Sequence, residues 1–313
     1  VLGLGLIGGS LLRALSRAGH PVSGYDVSPD TRAAALAAGP GWQIADTVTD
    51  AVESADVVVL AVPLPGVAAV LDELAEAKYH GLLSDVTSVK GPVRALIAER
   101  FPEARYVGGH PMAGREISGF AASDPKLFTD CAWALTLDPE RRLDDWLHMA
   151  GLVTELGARV VPVTTEEHDT AVAAISHLPH LVASGIAAVA GTGPAATLAA
   201  GSYRDGTRVA ASRSALVAAM CGGNAEALRP ALDELLARLS QARQMLDGPD
   251  PVRALTGWFR DGHVARTAWP PRPGPVADIP ASEAELLRLG RDGGWVTAVS
   301  PDRRAITGVR PAR

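Results

Sequence analysis

Lysine is nearly missing from this chain. Only Lys78, Lys90 and Lys126 occur among 313 residues, so almost all positive charge is arginine and no lysine chemistry is available after residue 126. Basic charge is in deficit as a whole: 29 Lys and Arg stand against 35 Asp and Glu, a net charge of −6. A general nucleic-acid binder needs a concentrated basic surface to meet phosphates, so this balance argues against that class. Cysteine is scarce too. Cys131 and Cys221 have neither CxxC spacing nor a histidine at zinc-finger distance, which predicts a reduced, cytoplasmic protein. The most apolar run, residues 183–200, is rich in Ala and Gly and broken by Pro194, so a buried helix is expected there rather than a membrane span. No charged-then-apolar leader opens the chain, and Val1 is expected to stand a few residues inside a first strand.

What is present divides the chain in three. Residues 1–163 alternate short β-rich runs (1–4, 22–25, 57–61, 82–85, 106–109, 133–137, 159–162) with helical stretches (7–18, 29–38, 65–75, 88–99, 143–156). Valine runs separated by helices indicate an α/β fold, a Rossmann-type doubly wound parallel sheet covered on both faces. Residues 164–249 read as an all-α domain whose helices, for instance 181–190, are apolar on more than one side. That suits a buried core helix or a subunit interface. Residues 250–313 form a Pro/Gly-rich C-terminal extension. Its segment 262–280 holds five prolines and two glycines and is expected to be irregular. A short helix (282–289) and a strand (294–299) follow, packing on the helical part or on a partner subunit.

Gly3-Leu4-Gly5-Leu6-Ile7-Gly8 is a GxGxxG between a strand and a helix. Gly3 permits the tight turn, Gly5 lets a pyrophosphate approach the backbone, and Gly8 allows close helix–strand packing. Asp26 follows at the end of the next strand, where a carboxylate can accept both ribose hydroxyls of NAD and repel the 2′-phosphate of NADP. Arg32, a few residues on, keeps NADP open. Ala61-Val62-Pro63 and Thr87-Ser88 end strands on the same carboxyl edge of the sheet; one of the two hydroxyls is expected to cap the next helix and the other to face the crevice. His110, in Gly109-His110-Pro111, ends the run at 106–109 on that edge too. Imidazole titrates near neutrality and can take a proton from an alcohol, although a histidine after a strand is as often structural.

In the helical part, His177 and His180 are three residues apart and share a helix face, with Pro179 between them to kink the axis. No HExxH or carboxylate cluster accompanies the histidines, so no metal is expected. Arg208 stands in a glycine-bounded turn, where it is either a solvated surface residue or a bidentate grip on a carboxylate.

Together, GLGLIGGS (3–10), DVTSVK (85–90), GGHPMAG (108–114), HD…ISHLPH (168–180) and TRVA (207–210) resemble the prephenate/arogenate dehydrogenase family over roughly residues 1–247. The resemblance implies oxidation of the ring C4 alcohol of prephenate or arogenate with loss of the ring carboxylate as CO2, in tyrosine biosynthesis. It implies His110 as the proton acceptor, Ser88 hydrogen-bonded to the substrate hydroxyl and to His110, Arg208 on the ring carboxylate, and His180 near the substrate side chain. Gly3, Gly5, Leu6, Ile7, Gly8, Asp26, Val62, Pro63 and Thr87 would line the NAD site, and a homodimer would form through the helical domain. Arg115 departs from the pattern, standing where a small or polar residue is expected. It can contact a substrate carboxylate, pair with Glu116 or face solvent, and so bears on the choice between prephenate and arogenate.

Two other classes share parts of this pattern. A β-hydroxyacid dehydrogenase joins the same two kinds of domain but relies on a lysine in the helical part, which this chain lacks. A nucleotide-sensing protein without catalysis would need no proton acceptor beside Ser88 and Arg208.

Overall fold

The structure, a computed structural model, describes residues 1–115, 117–139 and 142–312. Its first part is the expected parallel sheet between helices. The strands are β1 (Ser23–Gly24), β2 (Gln43–Ile44), β3 (Val57–Leu60), β4 (Leu82–Asp85) and β5 (Arg105–Val107). Leu2 bridges in parallel to Tyr25 on one side and to Leu60 on the other, giving the order β2, β1, Leu2, β3, β4, β5. The chain winds outward in both directions from Leu2, so the crevice for a ligand opens beside the loop that follows it.

Helices α1 (Leu6–Arg17), α2 (Pro29–Ala37), α3 (Val48–Val52), α4 (Leu64–Glu76) and α5 (Gly91–Arg100) make the crossovers. Ser28 and Thr47 cap α2 and α3 by accepting the N–H groups of Thr31 and Asp50. Val67, Leu71 and Leu74 of α4 with Val93 and Ile97 of α5 cover one face of the sheet. Leu11 and Leu15 of α1 with Trp146 and Leu147 of α6 (Leu143–Glu155) cover the other.

The run at 106–109, expected as one strand, is broken at Gly108. Gly109–Pro111 instead forms β6, antiparallel to β7 (Ala132–Thr136), which is parallel to β8 (Arg159–Val163). A Cβ on Gly109 would come 2.6 Å from the Asp85 carbonyl oxygen, so only glycine lets the chain cross from one sheet to the other here. His110 therefore lies inside β6, opposite Ala134, and not at the end of a parallel strand.

Thr164 opens α7 (Thr165–Val172) with a capping box, its hydroxyl bonded to the N–H of Glu167 and the Glu167 carboxylate to its own N–H. A π-helical turn (Ala173–His177) just before Pro179 joins α7 to α8 (Leu178–Ala190). Then come α9 (Pro194–Leu198), α10 (Gly201–Thr207), a 3₁₀ turn (Arg208–Ala211), α11 (Ser214–Gly223), α12 (Ala225–Leu246) and α13 (Pro251–Thr267). Thr165–Ala190 is long and apolar enough by composition to cross a membrane. Of the residues of α8 only Ala183 is buried, so a core helix within one subunit is not what this apolar stretch makes.

The tail corrects two expectations. Pro273–Pro280 is a regular strand, β9, despite its prolines, because it lies at the edge of its sheet, where a missing N–H can face away from the ladder. After α14 (Glu283–Arg291), β10 (Trp295–Val299) pairs with β8 and with β11 (Ala305–Pro311), which pairs with β9. From Pro273 on, the tail thus extends the first domain's second sheet, while its opening helix α13 packs on α12 as part of the helical domain. Leu286, Leu289, Val296 and Ile306 enter the same core as Trp146.

Candidate active site

The glycine loop has the geometry its spacing predicts. Gly3 has φ +95°, and a Cβ there would lie 2.6 Å from the Ala61 carbonyl oxygen and 2.9 Å from Val62 Cγ1. A Cβ on Gly8 would collide with the Gly3 carbonyl oxygen. Gly5 differs: nothing lies within 4 Å of its Cβ position. It precedes α1, whose first turn begins at Leu6 and Ile7 with no side-chain cap and no acidic residue. Open space in front of free backbone N–H groups at the positive end of a helix fits a pyrophosphate. Pro63 starts α4 directly across the loop. Asp26 is held beside it, its carboxylate accepting the N–H groups of Leu4 at 2.7 Å and Ser28 at 2.9 Å. Arg32 Nη1 donates to the Asp26 carbonyl at 2.8 Å, so both the acid and the cation expected there share one loop.

At the far side of the crevice, β4, β6 and α5 meet around a side chain that sequence reasoning passed over. Lys90 is fully buried, and its Nζ donates to Asp85, to the Gly109 carbonyl at 2.6 Å and to Thr87 Oγ1 at 3.1 Å. Burial lowers the Lys90 pKa below the usual lysine range against the opposing pull of Asp85. The second Asp85 oxygen accepts from Tyr106 at 2.6 Å. Thr87 is buried and gives its hydroxyl to Asp85 at 2.6 Å, so it faces this cluster. Neither Thr87 nor Ser88 caps α5. That role belongs to Asp169 of α7, which accepts the N–H groups of Lys90 at 2.8 Å and Gly91 at 2.7 Å. Ser88 is half-buried and makes no hydrogen bond among the described residues.

His110 is held from the helical domain instead: its Nδ1 lies 2.9 Å from His168 Nε2, with the rings edge to face. Burial, then the charges of His168, Lys90 and His177, keeps His110 well below the usual imidazole range. It is neutral at physiological pH, the state in which an imidazole accepts a proton. His177 is buried and held near a pKa of about 4, chiefly by burial; its Nδ1 is 3.1 Å from Asn224 Nδ2, and its Nε2 is buried without a partner among the described residues.

Beyond His177 the electrostatic chain continues to His180 and Arg208. Burial and the Arg208 charge lower the His180 pKa, the Val209 backbone opposing them. His180 Nδ1 is buried without a partner among the described residues. Arg208 opens the 3₁₀ turn packed on α8. Arg115 bonds to Asp124 at 2.5 Å, and Glu116, its other expected partner, lies outside the described residues. Asp124 is tied to α1 through the bond from its N–H to Ser10 Oγ at 2.9 Å. A cavity of about 700 Å³ between Val1, His20, Trp42 and His148 opens at the opposite, amino ends of the strands and holds none of these groups.

The residues missed from sequence were Lys90, Asp85, His168, Asp169, His177 and Asn224 in these roles. Lys90 carried a readable signal: a lysine five residues after a strand-ending aspartate, in a chain with two others.

Residues 11–162 match the family model for the nucleotide-binding domain of prephenate dehydrogenase, and residues 164–260 match that for its dimerization domain. The first match begins after the glycine loop, whose reading rests on its geometry. A cyclohexadienyl dehydrogenase of Zymomonas mobilis is 36% identical over 279 residues, 86% of this chain and 94% of that protein. A candidate prephenate dehydrogenase from Corynebacterium glutamicum has a crystal structure similar at TM-score 0.84 and 36% identity, covering 93% of this chain and 96% of that one. Prephenate dehydrogenase from Aquifex aeolicus, in complex with hydroxyphenyl propionate and NAD+, has the same fold at 24% identity and TM-score 0.77, over 85% of this chain and 96% of that one.

Proposed function

The chain belongs to the prephenate dehydrogenase family, and on that premise we propose that it is an NAD-dependent cytoplasmic enzyme oxidising prephenate to 4-hydroxyphenylpyruvate in tyrosine biosynthesis. The observation that carries this reading is a neutral His110, held through Nδ1, in β6 where that strand passes the carboxyl end of β4. NAD, when bound, supplies the acceptor for the hydride leaving ring C4. Gly5 and the first turn of α1 receive its pyrophosphate, and Asp26 its ribose hydroxyls, which favours NAD over NADP. Leu6, Ile7, Val62 and Pro63 frame the same crevice.

His110 takes the proton of the C4 hydroxyl as the C–H bond breaks. Ser88, which has no hydrogen-bond partner among the described residues, is available to that hydroxyl. Arg208 holds the ring carboxylate, and His180 lies on the substrate side-chain end. Loss of the carboxylate as CO2 returns its bonding pair to the ring, which becomes aromatic with the C4 oxygen as a phenolate, and the protonated His110 gives its proton back to that oxygen. The protein's task is therefore to position the alcohol and to hold one proton until the ring is aromatic.

Arogenate, in which an amino group replaces the side-chain keto group, is the second reading. The name of the Zymomonas mobilis relative favours keeping it, because prephenate and arogenate are both cyclohexadienyl compounds. A homodimer completes the proposal, supported by the exposed apolar side chains Ile186, Val189 and Leu216 of the helical domain.

Following NADH formation with prephenate and then with arogenate tests the function. Turnover of prephenate is expected with NAD and weakly with NADP; turnover of neither substrate would overturn the proposal.

A further inference from the structure

The hydrogen bonds behind His110 fix which of its nitrogens carries a proton. Asp169 Oδ1 lies 2.7 Å from His168 Nδ1. Burial alone would raise the Asp169 pKa, but the bonds from His168, Lys90 and Gly91 outweigh it and hold the carboxyl below its usual range. An ionised carboxylate can only accept, so His168 must carry its proton on Nδ1. His168 is itself buried, and burial lowers its pKa against the pull of Asp169, so it is neutral and its Nε2 is a lone pair. That lone pair faces His110 Nδ1 at 2.9 Å, and His110 must donate to it. A neutral imidazole has one ring proton, which leaves His110 Nε2 as the bare nitrogen.

We propose that His168 and Asp169 are positioning residues that hold His110 as the Nδ1–H tautomer, leaving Nε2 as the nitrogen that receives the substrate proton. This rests on the reading of His110 as the base. The residues come from different domains: His110 from β6, and His168 and Asp169 from α7, which is fixed in turn by Asn224 Nδ2 donating to the Asp169 carbonyl at 2.8 Å. The other charged or titratable groups facing His110 are Lys90 and His177. Neither is bonded to its ring, so the tautomer is set by His168. The relay exists only while α7 is seated on the start of α5, where the same Asp169 carboxylate caps the helix. Proton acceptance at the sheet edge is thereby tied to docking of the helical domain.

Free imidazole in histidine prefers the opposite tautomer in water, with the proton on Nε2, so the relay makes a distinctive prediction. Nitrogen-15 NMR of the full-length protein without substrate should show His110 protonated at Nδ1 and bare at Nε2 at neutral pH. His168→Phe removes the acceptor and should return His110 to the Nε2–H form, with kcat falling roughly 10–100-fold, as for loss of a group that orients a reacting side chain. His168→Gln offers an amide oxygen in place of Nε2 and should restore the tautomer and most of the lost kcat; a purely structural role would not separate the two variants in this way. A proton on His110 Nε2 in the unaltered protein overturns the proposal. So does an unchanged tautomer in His168→Phe, or His168→Gln no better than His168→Phe. The spectroscopic result needs no catalysis, so it is distinct from failure of the base assignment, which would show as near-normal turnover by His110→Asn.

Discussion

The two domains solve the burial problem differently. In the first, α1, α6 and α14 on one face and α4 and α5 on the other bury nearly every apolar residue of the strands, and the tail returns to add β10 and β11 to that core. In the second, α9, α10, α11 and α13 bury no residue, while Val189 of α8 is 89% exposed and Leu198, Phe259 and Val264 are exposed as well. Exposed apolar side chains of that kind are what an association surface presents. The first domain buries its apolar residues within one chain; the second leaves many of its own exposed, as the proposed homodimer requires. Chemistry is divided along the same line. On the proposed function, the first domain would supply the nucleotide crevice and His110, and the second what orients His110 and what grips the substrate.

The sharpest test of that division is to damage one domain's contribution and see whether the other's survives. His110→Asn should lower kcat by about 10²–10⁴-fold, the usual worth of a general base, while nucleotide affinity measured by fluorescence stays within about twofold. Loss of nucleotide binding in this variant would show that His110 serves the crevice rather than the chemistry.

The same division can be attacked from the association surface. Ile186→Asp with Val189→Asp places charge on the bare face of α8 without entering the first core. Sedimentation should show a dimer for the parent protein and a monomer for the variant, and nucleotide affinity should persist. A dimer that survives both substitutions would move the association surface off α8. Arg208→Ala should raise the KM for prephenate roughly 10–100-fold, the range for a lost charge-assisted contact, with the KM for NAD unchanged. An unchanged substrate KM would put the carboxylate grip elsewhere.

Legibility followed the same boundary. Local pattern was enough for the first domain: GxGxxG, the strand-ending Asp26 and the valine runs each report a backbone need within a few residues of themselves. Gly108 was not readable as a sheet crossing, because what forbids a side chain at Gly109 is the Asp85 carbonyl, 24 positions earlier in sequence. The cap of α5 by Asp169 is 78 residues distant from Gly91 and left Thr87 and Ser88 as the only local candidates. The prolines of β9 misled for a related reason. Proline excludes a central strand but not an edge, and edge status is a property of the assembled sheet.

Finer discrimination comes from within the glycine loop. Gly8→Ala should lower the melting temperature by several degrees, since a Cβ there meets the Gly3 carbonyl oxygen and Ala61. Gly5→Ala has open space and should leave melting unchanged while weakening NAD affinity about 3–10-fold, on the order of 1 kcal/mol for a methyl group in the path of a pyrophosphate. Equal effects of the two on melting would mean that Gly5 is structural and not the face presented to the nucleotide.

The smallest effect is expected at Arg115. Its guanidinium is engaged by Asp124, and Asp124 is anchored to Ser10 of α1, so the ion pair belongs to the loop laid against the nucleotide-binding helix. It is exposed, and solvent screens pairs of this kind so that they contribute little to stability. Arg115→Ala should therefore change stability little and leave the ratio of kcat/KM for prephenate over arogenate within about threefold, a discrimination below 1 kcal/mol. A change well beyond that, confined to one substrate, would mean that Arg115 leaves Asp124 when substrate binds and reads the side chain. The division of labour between the domains would then be incomplete, with the first domain taking part in substrate choice.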